Sequence, residues 1–335
     1  MLSQIRGTLI SIATSRIVQI CVGICISLLA IYLVSRQAYL TKAISVIEKA
    51  SPLALLAGLM SVLVNTVAKV ARWQLLLGAG WQQIPFTRLL TSLLGSQLLN
   101  ALLPVRLGDI SRAYDIGGLG LGRSFVLGGV VIEKIIDMAC LAILLLLLIL
   151  WLPVPAWMSR SAYASLAAGI VVVLLMLMLV NRLDWVTHQF VRVTNLFPDR
   201  IRELVAPRLR AGILSITVIK ERGVQLRVSL LSATIWGSAL LTNHLVLLAF
   251  SIQLPIAAAC LVLLSLMVGV SVPNVAGGLG IFEYLCIVSL GVFGVDPDTA
   301  LSYGLVLHVL VLLPMILAGP AFLVGQRRSR RESLV

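Results

Sequence analysis

Apolar residues run along this chain in long unbroken stretches, at roughly 17–34, 52–68, 88–103, 125–150, 162–180, 228–250, 255–272, 276–294 and 301–324. Most approach the ~20 residues that a helix needs to cross a bilayer. Barrel strands would show short alternating segments, whereas runs such as Leu141 to Leu150 are continuous, so helices are the expected spanning element. The pattern predicts an all-α, polytopic membrane protein of about eight transmembrane helices with one or two re-entrant or broken segments. It leaves no room for a folded extramembrane domain, so 1–335 reads as a single membrane domain.

Composition agrees, because 60% hydrophobic and 12% charged residues with a mean hydropathy of +1.07 do not describe a soluble chain of 335 residues. The first window follows Arg6 and Arg16 and lacks a small-x-small pattern before Arg36, so it is expected to stay as an anchor. All five cysteines fall inside apolar windows, which suggests neither disulfides nor a zinc site.

The net charge of +13 does not point to nucleic acid, since the basic residues crowd the short connections and one loop as the positive-inside rule demands. Loop 181–225 carries eight, from Arg182 to Arg222, and Arg327, Arg328, Arg330 and Arg331 end the chain. Both segments are expected to face the cytoplasm if 276–294 crosses, with 251–254 and 151–161 outside and 104–123 inside. With the N-terminus also inside, 88–103 must enter and leave on one face. Its Thr91, Ser92, Gly95, Ser96, Gln97 and Asn100 make it the most polar window, as a re-entrant segment would be.

Within 181–225, Ile201, Leu204, Val205, Leu209, Ile213 and Ile216 recur at three- and four-residue steps opposite Arg202, Arg208 and Arg210. This amphipathic stripe fits a helix lying on anionic lipid or one packed under the bundle, and Pro207 would divide it.

Charges inside the 125–150 window carry the first candidate chemistry. Glu133, Lys134 and Asp137 each cost ~3 kcal/mol at a helix centre, so they must be paired, hydrated or functional. Glu133 and Asp137 are one turn apart on one face and can line a protein interior; the other reading puts the cluster at the interface. Two backbone breaks add to it. In the first, Pro104 ends a helix and Gly108 permits a turn, with Arg106, Asp109 and Arg112 alongside. Guanidinium forks of Arg106 and Arg112 suit a lipid phosphate, with Lys134 as a third cation; positive-inside decoration is the plain alternative. In the second, Pro273, Gly277, Gly278 and Gly280 precede Glu283. These glycines allow close backbone approach or exposed N–H groups, or simply pack helices around an internally bonded Glu283. Paired interruptions in two halves of a chain also point to a central transporter site.

In order, Pro104-x-Arg106-x-Gly108-Asp109, Val130-Val131-x-Glu133-Lys134-x-x-Asp137 and Pro273-x-x-x-Gly277-Gly278-x-Gly280-x-x-Glu283 resemble the lysylphosphatidylglycerol synthase transmembrane-region family, often called flippase-like. The resemblance covers most of the chain. It implies a membrane half of the kind that exposes lysyl phosphatidylglycerol on the outer leaflet, or a relative associated with lipid-linked glycans. Two departures matter: Glu133-Lys134 stands where the family more often has Glu-Arg, and only Glu332-Ser333-Leu334-Val335 follows Arg331. The aminoacyl-transfer domain is therefore expected to be absent.

The expected function is translocation of an anionic or phosphate-bearing lipid, or a polyprenyl-phosphate-linked glycan, across the cytoplasmic membrane. The alternative is a non-transporting partner that recruits a glycosyltransferase or lipid synthase through 181–225. No enzyme is expected: His188, His244 and His308 lack metal-ligand spacing, and no Walker loop or nucleophile elbow is present. Neither a cofactor nor a metal is implied. Movement would draw on the lipid gradient, on membrane potential, or on proton coupling through Glu133, Asp137 or Glu283.

Overall fold

The computed structural model describes residues 40–103, 107–151, 217–269 and 276–332, with a few isolated helical positions besides. Among the described residues every regular element is helical and no strand occurs, as the continuous apolar runs predict. The helices are α1 (Leu40–Ile47), α2 (Pro52–Leu76), α3 (Phe86–Leu102), α4 (Leu107–Ile116), α5 (Arg123–Trp151), α6 (Arg222–Ala249), α7 (Ile256–Gly269), α8 (Ile281–Gly291) and α9 (Pro297–Glu332). Local chemistry sets several of the starts. Pro52 and Pro297 open α2 and α9 at the position where a missing N–H costs nothing. Ahead of Pro297, the Asp296 carboxylate accepts the backbone N–H groups of Asp298 (3.0 Å) and Thr299 (3.3 Å), which caps α9.

Among the described residues, three helices are long and apolar enough to cross a membrane: α2, α6 and residues 297–322 of α9. Helix α5, at 29 residues, spans about 43 Å and carries its charges in the first half. The 88–103 window differs from expectation in one respect. It is a single uninterrupted helix of 17 residues, so its polar side chains do not break the backbone. Ser96 instead turns its hydroxyl onto the Leu93 carbonyl (2.7 Å), a local bond that a helix tolerates. The break comes after Leu103; Asn100 Oδ1 reaches over it to accept the Gly108 backbone N–H (2.8 Å). Pro104 and Arg106 lie outside the described residues, as do Pro273 and most of the 181–225 stripe.

Helix α8 has 11 residues and reaches only about 16 Å, half of a ~30 Å hydrocarbon core, so 276–294 does not cross as a helix by itself. It packs against α7 across the glycine break. If α7 and α8 together enter and return on one face, the ends of α6 and α9 keep their sides; if the pair crosses once, the sides are exchanged.

The chain divides into two compact units interleaved in sequence. The first comprises 1–59, 97–108 and 242–316. In it Ser302 of α9 donates to the Ala43 carbonyl of α1 (3.0 Å), Tyr303 donates to Asn243 Oδ1 of α6 (3.0 Å), and the Ser51 N–H donates to the Ala249 carbonyl (2.8 Å). The second comprises 60–96, 109–241 and 317–335. Its core packs Val70 and Trp73 of α2, and Leu77 just past its end, against Leu89 and Leu93 of α3, Ala113 and Ile116 of α4, and Val126 of α5. An adjoining cluster joins Leu76 to Ile132 and Ile136 of α5 and Val228 of α6. These two clusters hold the first half of α5 beside the last two turns of α2.

With α7 and α8 moving as a pair, cysteines at Gln253 and Val295 should react with an impermeant maleimide from one face, and cysteines at Arg222 and Arg331 from the other. Labelling of Gln253 and Val295 from opposite faces would show that the α7–α8 pair crosses the membrane only once.

Candidate functional site

The charged residues of α5 are met from two sides within the second unit. From α2, Arg72 places Nη2 at 2.7 Å from Asp137 Oδ1 and 4.0 Å from Glu133 Oε1, while its Nη1 donates to the Ser232 hydroxyl of α6 (3.1 Å). From α4, Arg112 Nη2 donates to Glu133 Oε2 (3.0 Å) and lies 3.4 Å from Asp109 Oδ1, one helical turn earlier. Asp109 Oδ2 in turn takes Lys134 Nζ at 3.2 Å. The Arg112 guanidinium sits 4.9 Å over the Trp73 ring, a cation–π contact with a core side chain. Both arginines are only 1% exposed. The spacing of Glu133 and Asp137 does what one turn allows, since one arginine reaches both carboxylates.

Sequence reasoning thus placed Arg112, Lys134, Asp109, Glu133 and Asp137 as candidates, and the structure gathers all five. It missed the residues that complete them. Arg72 is the counter-charge of Asp137, and Lys69, three residues earlier on the same helix, interacts electrostatically with Asp137, Arg72, Glu133 and Lys134. Their only signal in the sequence was position, just past the 52–68 apolar window, where basic residues are ordinary.

Two features of this cluster remain unbalanced among the described residues. Lys69, Arg72, Arg112 and Lys134 face only Asp109, Glu133 and Asp137, so one positive charge is in surplus. In addition, Arg72 Nε and Arg112 Nε and Nη1 are buried without an acceptor. A buried donor left unmade is costly, so such atoms mark a place where water or an anionic group belongs. Of the three cations predicted to hold a headgroup, Arg112 is wrapped by protein, Arg106 is outside the described residues, and Lys134 is about half exposed. A separate pair, Arg88 of α3 with Asp115 of α4 (2.5 Å), ties α4 down; burial pushes the Asp115 carboxyl up and Arg88 opposes that rise.

Glu283 does not join this cluster. It belongs to the first unit, where His308 Nδ1 lies 2.7 Å from Glu283 Oε1 and His308 Nε2 lies 3.1 Å from the Gly277 carbonyl. The other oxygen, Oε2, accepts the Gly280 backbone N–H (2.7 Å), which caps α8. Gly277, Gly278 and Gly280 have φ of 76°, 84° and 85°, left-handed values that glycine alone adopts without strain. Gly304 supplies the closeness of α9: a Cβ there would lie 3.1 Å from Cys286 Cβ and 3.3 Å from Glu283 Cα. One turn later His308 lands on Glu283. Among the described residues, no three His, Cys, Asp or Glu side chains gather as a metal site would require.

An all-helical chain with apolar spans, a buried ionic cluster and a glycine-broken helix pair is an integral membrane protein built around interior polar groups. It belongs to the lysylphosphatidylglycerol synthase transmembrane-region family, which matches residues 20–319. No curated protein and no solved structure matches the chain. Membership gives it a membrane-embedded, lipid-related role.

Arg72→Gln should destabilise the protein by about 3–5 kcal/mol, because it strands two buried carboxylates. The loss should be largely recovered in Arg72→Gln with Asp137→Asn, as a double-mutant cycle on thermal unfolding in detergent would read. Gly278→Ala should cost about 1–2 kcal/mol through its left-handed φ alone, measured the same way. A negligible change there would mean that the break relaxes to a right-handed backbone.

Proposed function

We propose that the protein moves an anionic lipid, one bearing a phosphate headgroup or a polyprenyl-phosphate-linked glycan, between the leaflets of the cytoplasmic membrane, with its C-terminus on the cytoplasmic side. The observation that carries this reading is the set of unused guanidinium donors in the second unit, beside four basic side chains and three acidic ones. In a low-dielectric setting an uncompensated positive charge is expensive, and a phosphate would both neutralise it and accept the orphaned N–H groups. Lys69, half-buried, and the half-exposed Lys134 would make first contact. The two arginines, fixed by their carboxylates, would supply a field that favours the headgroup without leaving their partners. On this reading no bond of the lipid is made or broken, and the acyl chains stay in the bilayer while the headgroup passes.

The test is leaflet-specific labelling of fluorescent lipids in proteoliposomes holding the purified full chain. Wild-type protein should speed the exchange of an anionic lipid over a zwitterionic one. Lys69→Gln should slow it roughly ten- to hundredfold, the loss of one charge-assisted bond, at unchanged insertion and thermal stability. If the wild-type chain moves no lipid across a range of anionic and polyprenyl-phosphate species under an imposed potential, the translocation reading falls to that of a recruiting partner.

A further inference from the structure

We propose that Glu283 and His308 form a buried proton-binding site that latches the glycine break ahead of α8. The argument rests on counting donors and acceptors. His308 presents both ring nitrogens to oxygen atoms, Nδ1 to Glu283 Oε1 at 2.7 Å and Nε2 to the Gly277 carbonyl at 3.1 Å. Glu283 Oε2 is meanwhile committed as acceptor of the Gly280 N–H. The carbonyl can only accept, so Nε2 must carry a hydrogen. A second hydrogen must then lie between Nδ1 and Oε1. It belongs to an imidazolium facing a carboxylate, or to a protonated Glu283 facing the neutral Nε2–H tautomer; both arrangements hold the same number of protons.

Remove that one proton to water and no tautomer satisfies the geometry. With hydrogen on Nε2, the Nδ1 lone pair confronts a carboxylate oxygen; with hydrogen on Nδ1, the Nε2 lone pair confronts the Gly277 carbonyl. The bond to a charged carboxylate is the stronger, so Gly277 is the contact that is released. Gly277 then loses the side chain that holds its left-handed backbone, and the break is free to change shape on that side while Glu283 still holds the Gly280 N–H. The pair is 3% and 4% exposed, and Phe282 stacks on the imidazole at 4.2 Å with an interplanar angle of 11°, so the ring cannot swing aside to another partner while the latch is closed.

Other titratable groups around the pair are few. The break from 276 to 280 and the 52–59 stretch of α2, whose Gly58 faces Leu310, carry none. Helix α8 offers Tyr284 and Cys286, α7 Cys260, α9 itself Tyr303, and α6, which meets Tyr303 through Asn243, has His244. Helix α1 meets α9 at the first turn, where Lys42 faces Asp298, about 15 Å along the helix from His308. The site does not depend on the translocation reading, because its test follows a backbone segment and no lipid.

The experiment is hydrogen–deuterium exchange of peptides covering 276–286 in the purified full chain, from about pH 5 to about pH 9. Rates are corrected for intrinsic exchange and referred to the 52–59 segment. In wild type the protection of 276–286 should fall at least tenfold in a one-proton step as pH rises. Glu283→Gln should stay protected throughout, since the amide oxygen accepts the Gly280 N–H, its N–H₂ donates to Nδ1 and Nε2–H keeps Gly277, all without an ionisable proton. His308→Phe should leave the segment unprotected at every pH. Should that variant not fold, Glu283→Gln decides alone. Flat protection in wild type, or the same step retained in Glu283→Gln, overturns the proposal and hands the pH response to Cys286, Tyr303 or His244.

Discussion

Everything in the second unit is arranged around one guanidinium held between two carboxylates. An ionised side chain in hydrocarbon costs several kcal/mol, and α5 brings two acids on one face into a run that otherwise continues as leucine and isoleucine. Arg72 meets both, and because it is donated by α2 it fixes the register of α2 against α5 as no apolar contact would. Ser232 then brings α6 to the same guanidinium. Arg112 closes the far side of Glu133 and, through Asp109 and Lys134, binds α4 to α5. The apolar clusters around Trp73 and Leu76 pack against this arrangement and do not determine it, since apolar surfaces slide where ion pairs cannot.

What was legible in the sequence was whatever is local. Continuous apolar runs mean helices in lipid, and the four-residue spacing of Glu133 and Asp137 announced a shared face. Arg72 was not legible because its partners lie 61 and 65 residues away, and a basic residue after an apolar window has an ordinary explanation in the positive-inside rule. The 88–103 segment shows the opposite error. Its serines and Asn100 suggested a re-entrant segment, but the helix itself is unbroken: it absorbs hydroxyls by bonding them to its own carbonyls, and Asn100 spends its oxygen on Gly108 beyond the helix end. Polarity in a membrane window is thus weaker evidence of a break than glycine at left-handed φ, which 277, 278 and 280 supply.

His308 illustrates a third kind of limit. Alone in an apolar helix it had no metal-ligand spacing, and nothing in the neighbouring residues of α9 shows that Glu283 lies opposite. The signal was Gly304, one turn before it, which marks where another backbone comes within a Cβ of α9. A glycine followed one turn later by a titratable residue in a transmembrane run is a pattern to search for: close approach by the first delivers the second to a partner.

The two polar constellations differ in what they lack, and that difference assigns their chemistry. Glu283 and His308 spend every acceptor and ring nitrogen on one another, on Gly277 and on Gly280, so nothing remains for a ligand larger than a proton to bind without breaking what is there. The α2–α4–α5 cluster is the reverse. Its strongest bonds are made, yet it keeps a charge in surplus and three guanidinium N–H groups without acceptors among the described residues. Those donors fit the proposed passage of a group that carries negative charge and several acceptor oxygens. A phosphate headgroup has both.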